Sequence, residues 1–451
     1  MTPGARIQAA IELLDRIEAA PVPAERVVTA YVRERRYMGS KDRRAVGDRI
    51  YAVLRARARL DWWLARIEVG RDDNAARPRR VLLAALVLIE GRAAAELDGL
   101  FGGGAYAPAP LDDPERALVD ALSGRDLADP AQPPWVAAEC PEWLWPEFEA
   151  GFGAAAADEL VGMIASATLD LRVNSLKGDR AAARAALAEE GIAAEPTPLS
   201  PLGLRVAGRP GLSAGGTFES GLIEVQDEGS QLVALLTDAR PGMAVADFCA
   251  GAGGKTLALA AAMAGEGPLS ALDTDQRRLD QAVRRIKRAG ARNVTRQRLV
   301  GGDWLAHRAG VFARVLVDAP CSGTGAWRRQ PDARWRLSPE KLEGYRETQA
   351  RILSQAAPTV AGGGRLVYAT CSLLPSENEA QVAAFLDARP DFTLLPMEDV
   401  WAETIVPLGG PSAPMPAPVP TPFSGRFLQL TPARHGCDGF FAAAFERRKR
   451  A

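Results

Sequence analysis

The sequence predicts an α/β chain: a Rossmann-like domain built on a parallel sheet covered on both faces, preceded by a small α+β unit and an all-α N-terminal region. Three observations carry this. From Gly242 onward, short apolar strands alternate with helical stretches. A loop of small residues, Cys249-Ala250-Gly251-Ala252-Gly253-Gly254, follows the first of those strands and opens a helix. Apolar side chains in the first ~140 residues recur at helical spacing.

Residues 1–140 are expected to be an all-α domain. Ile7, Ile11, Leu14 and Ile17 fall on one helix face. Ser40 is the expected N-cap of a helix carrying Val46, Ile50, Val53 and Leu54. Gly102-Gly103-Gly104 and the Pro-rich stretch Pro108 to Pro134 read as loops. Residues 141–240 are expected to hold a linker helix and the small α+β subdomain. Its strands are Leu169 to Val173, Leu202 to Val206 and Ile223 to Val225, with a helix over Arg180 to Glu190. Residues 241–451 are the Rossmann-like domain. Its expected strands are Ala244 to Cys249, Leu269 to Asp273, Val294 to Arg298, Arg314 to Asp318 and Gly364 to Thr370. Pro407 to Pro422 reads as a surface loop, and Phe427 to Leu430 with Phe440 to Phe445 as a closing antiparallel hairpin.

The chain carries a net charge of only −1, so bulk charge makes no case for nucleic acid. Charge is unevenly spread, however. Ten basic residues lie between Tyr31 and Leu60 against Glu34, Asp42 and Asp48, and a second basic run from Arg277 to Arg298 is opposed locally only by Asp280. Such runs suit phosphates, although charge alone favours a solvated helix face. The five cysteines form no C-x-x-C pair, and His307 and His435 stand far apart, so neither a zinc site nor a disulfide framework is expected. The longest apolar stretch, Val81 to Ile89, is less than half of the roughly 20 residues a spanning helix needs. No secretory leader is visible. A soluble, cytoplasmic protein acting as a monomer, without membrane or metal, is the expectation.

The small-residue loop lets the backbone approach a ligand closely, and the helix it opens offers free N–H groups. Alone it fits several nucleotides. Lys255-Thr256 imitates the end of a P-loop, but that pattern requires glycine where Cys249 stands. Acids at strand ends sharpen the reading: Asp273 suits ribose hydroxyls, Asp303 an adenine amino group, and Asp318 ends the next strand. Each of these is otherwise a helix cap.

Two cysteines follow successive strands, in Asp318-Ala319-Pro320-Cys321-Ser322-Gly323-Thr324-Gly325 and Ala369-Thr370-Cys371-Ser372. A lone cysteine of this kind is usually structural. Two at one sheet edge suit addition to a pyrimidine. Carbon-5 of cytosine is a poor nucleophile until a thiolate adds at carbon-6 and makes it enamine-like. Asp318 would hydrogen bond the N3 edge of the base, Lys255 would position that carboxylate, and the second cysteine would serve as base for the carbon-5 proton. The residues alone leave open which thiol attacks.

From Thr168 onward the chain resembles the Sun or Fmu family of RNA 5-methylcytosine methyltransferases, in its RsmB-like branch. The resemblance rests on Leu171-Arg172-Val173-Asn174-Ser175-Leu176-Lys177, on Val225-Gln226-Asp227-Glu228-Gly229-Ser230-Gln231, on the Cys249 to Thr256 loop, on both cysteine segments, and on His435-Gly436-Cys437-Asp438-Gly439-Phe440-Phe441. The resemblance implies a class I Rossmann-like S-adenosylmethionine-dependent methyltransferase domain behind a NusB-like RNA-binding domain, best matched from Asp42 to Arg55. It assigns attack to Cys371 and release to Cys321, with Asp318 and Lys255 completing the catalytic set. It places Cys249, Ala250, Gly251, Ala252, Gly253, Gly254, Lys255, Asp273, Asp303 and Asp318 around S-adenosylmethionine, and Arg172, Asn174 and Lys177 on RNA. Ala252 stands where the family has proline, and the spacing before Asp303 suggests a small insertion. The expected substrate is 16S ribosomal RNA. A tRNA substrate is the alternative within enzymes, and a catalytically silent ribosome-assembly factor that binds RNA is the alternative outside them.

Overall fold

The computed structural model describes residues 1–67, 76–208, 210–212, 215–301, 303–413, 415 and 420–449, without the side chain of Asp303. The chain divides into two compact units, Met1–Ala165 with Trp327–Arg336, and Ser166–Ala326 with Leu337–Ala451. The first unit runs past residue 140, the expected end of the all-α domain. The ten residues Trp327–Arg336 come from the catalytic part of the sequence, yet they pack with the N-terminal unit. Arg334 shows why. Its buried guanidinium donates to the Glu139 carbonyl at 2.7 Å and lies 5.0 Å from the Trp327 ring centroid.

The first unit is helical among its described residues. Helix Arg77–Leu88 is its centre: Val81 through Val87 are all buried, as an all-round apolar helix requires. Helix Pro3–Ala19 lays Ile7, Leu14 and Ile17 into the same core. Two readings are corrected here. Ser40 is the first helical residue of Ser40–Arg55, and the cap position belongs to Gly39, without a side-chain hydrogen bond. The Pro108 to Pro134 stretch is not a continuous loop, because helix Asp113–Leu122 lies within it. Asp112 accepts from the Glu115 N–H at 2.8 Å while Glu115 accepts from the Asp112 N–H at 3.1 Å. This is a capping box written in the sequence as Asp-x-x-Glu.

The second unit holds two sheets. Strands β1 (Leu169–Val173), β2 (Ala194–Pro196), β3 (Gly203–Val206) and β4 (Ile223–Val225) form an antiparallel sheet in the order β2-β3-β1-β4. The larger sheet comprises β5 (Val245–Asp247), β6 (Leu269–Asp273), β7 (Val294–Arg298), β8 (Phe312–Asp318), β9 (Val360–Thr370), β10 (Phe392–Leu395), β11 (Phe423–Ser424), β12 (Phe427–Leu430) and β13 (Phe440–Arg447). Its order is β11-β12-β13-β9-β8-β5-β6-β7, with β10 on β13. Strands β5 to β9 run parallel, and β13 enters antiparallel beside β9. The chain leaves β5 toward β6 and β7, then returns on the other side through β8 and β9. That reversal opens a crevice beyond the carboxyl ends of the strands, where ligands of open α/β sheets bind. No helix among the described residues is long and apolar enough to cross a membrane.

Candidate active site

Parallel register brings the two cysteines together. Asp318 on β8 pairs with Ala369 on β9. Cys321 and Cys371 therefore leave adjacent strands at the same edge, and their sulfurs lie 3.4 Å apart. The Cys321 thiol is pushed well above its usual range, first by its hydrogen bond to Cys371, then by burial and by the negative charges of Cys371 and Glu377. Gly325 accepts from the Gly439 N–H at 2.8 Å, and a side chain on either glycine would collide with the other's backbone. The His435 to Phe441 segment thus clamps the Cys321 loop.

Beside the thiols, Lys255 donates to Asp318 Oδ2 at 2.8 Å. Burial would lower the Lys255 pKa, but the charges of Asp318 and Cys371 outweigh it and hold the ammonium above its usual value. The Phe440 ring lies 5.1 Å from that ammonium. Asp318 Oδ1 makes no hydrogen bond among the described residues, so it is free to meet a substrate.

The small-residue loop runs between β5 and helix Gly254–Ala262. It turns through left-handed backbone at Gly251 (φ 55°) and Gly253 (φ 83°), which explains glycine at both. Arg285 donates to the Ala252 carbonyl at 2.8 Å, holding the turn that lacks the family's proline. Asp273 closes β6 and accepts from the Gly251 N–H at 2.8 Å, so it braces the loop as well as facing the crevice. A cavity of about 270 Å³ lies here, lined by Phe248, Cys249, Asp273, Leu299, Leu305 and Pro320 among others. Burial, followed by the charges of Asp318, Asp247 and Asp273, pushes the Cys249 thiol well up, so it stays neutral.

The residues fit a cationic ligand with ribose hydroxyls. Asp247 Oδ1 is buried without a partner, while its Oδ2 accepts from Thr256 at 2.7 Å. Burial raises the Asp247 pKa to about 7, a cost that a nearby cation would relieve. Asp273→Ala should raise the cofactor dissociation constant tenfold or more, since a hydrogen bond to a charged group contributes roughly 1.5–3 kcal/mol. Unchanged affinity by calorimetry would leave Asp273 as a brace for the loop alone.

Asp303 opens the short helix Asp303–Ala306, but its side chain lies outside the described residues. Of the three residues expected on RNA, two are buried. Arg172 is fully buried, donates to Gln226 at 2.6 Å, and is lowered to about 10 by burial. Asn174 is buried and donates to the carbonyls of Gly221 and Ala289, both at 2.9 Å. The physical reason is that β1 is an interior strand covered on both faces, with the burial pattern continuing across its polar positions. Lys177 alone is exposed, its ammonium 2.5 Å from the Ser220 carbonyl.

The sequence reading missed Glu377, which is fully buried and hydrogen-bonded to both cysteine loops. Its signal was an acid six residues after Cys371, within a polar Ser-Glu-Asn run. Among the described residues no group of three or more His, Cys, Asp or Glu is placed to hold a metal.

The family model described as 16S rRNA methyltransferase RsmB/F matches residues 234–446, and the RsmF/B-like ferredoxin-like domain matches residues 140–211. The "probable ribosomal RNA small subunit methyltransferase B" of Synechocystis is 33% identical over 313 residues, covering 68% of this chain and 66% of that protein. This chain thus spans just under two thirds of that relative's length. The crystal structure of a methyltransferase homolog from Pyrococcus horikoshii superposes with a TM-score of 0.57 at 25% identity, covering 70% of this chain and 97% of the other. The crystal structure of PH0851 is similar in fold, with a TM-score of 0.76, 24% identity and 99% of both chains covered.

Proposed function

The chain belongs to the RsmB/F family of 16S rRNA methyltransferases with S-adenosylmethionine as cofactor, and from that premise we propose that it methylates carbon-5 of a cytosine in small-subunit ribosomal RNA through a covalent bond from Cys371. The observation that carries this reading is the pair of thiols 3.4 Å apart beside the Lys255–Asp318 ion pair.

S-adenosylmethionine supplies an electrophilic methyl on a sulfonium. The loop from Cys249 to Gly254, with Asp273, would hold it, and the carboxylates of Asp247 and Asp318 would offset its positive charge. The Cys371 sulfur bonds to carbon-6 of the base, and the displaced π electrons make carbon-5 nucleophilic, so that carbon-5 would take the methyl while the cofactor's sulfur keeps the bonding pair and leaves as a neutral thioether. Asp318, steadied by Lys255, orients the base through its hydrogen-bonding edge. Attack removes the negative charge of Cys371 and its hydrogen bond to Cys321, two of the causes that keep Cys321 protonated. Cys321 is half-buried, and its proton passes to solvent. The resulting thiolate takes the carbon-5 proton, the C5–C6 double bond re-forms, and the Cys371–carbon-6 bond breaks.

Intact Cys371, Cys321, Lys255 and Asp318 in working proximity support an enzyme over a silent assembly factor. Labelled S-adenosylmethionine with 30S subunits and with tRNA tests the reading. Label in 16S RNA as 5-methylcytosine, located by bisulfite sequencing, is expected; label in tRNA alone would move the substrate, and none in either would overturn the reading.

Phosphate binding draws on fewer residues than the basic runs suggest. Arg35, Arg49, Arg57 and Arg59 are engaged by Glu12, Glu90, Asp61 and Glu139, and Arg285 and Arg288 by Glu224. Arg33, Arg36, Lys41 and Arg44 are exposed. Changing these four to glutamine should flatten the log–log salt dependence of RNA binding by roughly 0.7–0.9 for each phosphate no longer neutralised. An unchanged slope would identify them as solvated surface.

A further inference from the structure

Glu377 is 0% exposed and takes no part in the methyl transfer itself. It follows Cys371 by a short turn, and its carboxylate gathers donors from three directions. Oε1 accepts from the Ser322 N–H at 2.9 Å and from Gln349 Nε2 at 2.9 Å. Oε2 accepts from Ser372 Oγ at 2.5 Å and from Ser322 Oγ. Ser322 and Ser372 directly follow the two cysteines, and their hydroxyls are 3.2 Å apart. Gln349 also donates to the Pro320 carbonyl at 3.0 Å, so the residues on both sides of Cys321 are tied to this one carboxylate. The backbone is fixed from the other side, where Tyr368 donates to the Glu377 carbonyl at 2.6 Å.

A buried carboxylate is costly unless its oxygens are satisfied. Here the donors come from the two segments whose separation sets the sulfur–sulfur distance. We propose that Glu377 is the positioning residue for both active-site cysteines, holding the Cys321 loop against the Cys371 loop at the spacing that attack and release require. A neutral hydrogen-bonding side chain would not serve equally, because an amide at this point turns N–H donors toward hydroxyls that themselves donate. Its negative charge also helps keep Cys321 protonated until Cys371 has reacted. This role rests on the cysteine chemistry proposed for the site.

Glu377→Gln is close in shape and separates positioning from bulk. At saturating RNA and cofactor its kcat should fall at least tenfold, with KM for RNA and Kd for cofactor within twofold of the parent. A second readout needs no RNA: alkylation of Cys321 by iodoacetamide, followed by peptide mass spectrometry, should be at least threefold faster in the variant. If Glu377→Gln does not fold, Ser322→Ala with Ser372→Ala removes the hydroxyl donors while leaving the carboxylate, and the same kcat-only loss is expected. Unchanged kcat and unchanged alkylation in a folded variant would overturn the proposal, as would a loss confined to KM or Kd. Should the parent methylate no RNA, the functional reading fails, whereas the alkylation comparison still decides the role of Glu377.

Discussion

Cys371→Ala is expected to abolish methyl transfer, by about 10³-fold or more, while leaving cofactor and RNA binding intact. Without a sulfur on carbon-6, carbon-5 stays too weak a nucleophile for the sulfonium methyl, and a loss of that size corresponds to about 4 kcal/mol of lost transition-state stabilisation. Cys321 is not a substitute nucleophile. It is held as a thiol by burial and by its neighbours' charges, and only the thiolate attacks efficiently. Removing Cys371 takes away part of that pressure, but the place proposed for Cys321, beside the carbon-5 proton, is not the one from which a sulfur adds at carbon-6. Single-turnover assays with labelled cofactor check this. Residual activity within tenfold of the parent would mean that Cys371 is not the attacking group.

Cys321→Ala should fail in the opposite way. Attack and methyl transfer proceed, but no base stands within reach of the carbon-5 proton, so the adduct cannot collapse. Enzyme should accumulate as a covalent RNA complex that survives denaturing electrophoresis, at near one equivalent per active site. The 3.4 Å sulfur separation is what makes this assignment specific, since a base must sit beside the bond that breaks. An inactive variant with no adduct would remove the release role from Cys321.

Much of the catalytic fold was legible because parallel strands carry their own signal. The bounds of β6 follow from a mainly apolar run that ends at Asp273, whereas β7, Val294-Thr295-Arg296-Gln297-Arg298, is placed by its position in the strand–helix alternation. Strand β9 begins four residues before the expected start at Gly364, because Val360-Ala361-Gly362-Gly363 has no alternation to read. The short β2 was missed, as three residues ending in proline give no periodicity. Juxtaposition of the cysteines was legible once both were placed at strand ends. What the sequence concealed is tertiary. Arg172 sits in a strand whose alternation suggests an exposed arginine, and only the helix and loops packed over that face bury it. The acid that neutralises Arg285 and Arg288 is Glu224, some sixty residues away, so a run opposed locally only by Asp280 looks more basic than it is. Trp327–Arg336 reads as part of the catalytic domain and packs elsewhere. Glu377 lacked a motif of its own, and its role emerges only when two loops meet on it.

The central claim is that Cys371 carries the covalent bond to the base. Replacing the target cytosine by 5-fluorocytosine blocks loss of the carbon-5 substituent and traps the intermediate on the unmodified enzyme. Digestion and mass spectrometry of that complex should place the RNA fragment, with one added methyl, on the peptide containing Cys371. A fragment on Cys321 instead would reverse the two thiols and contradict the account.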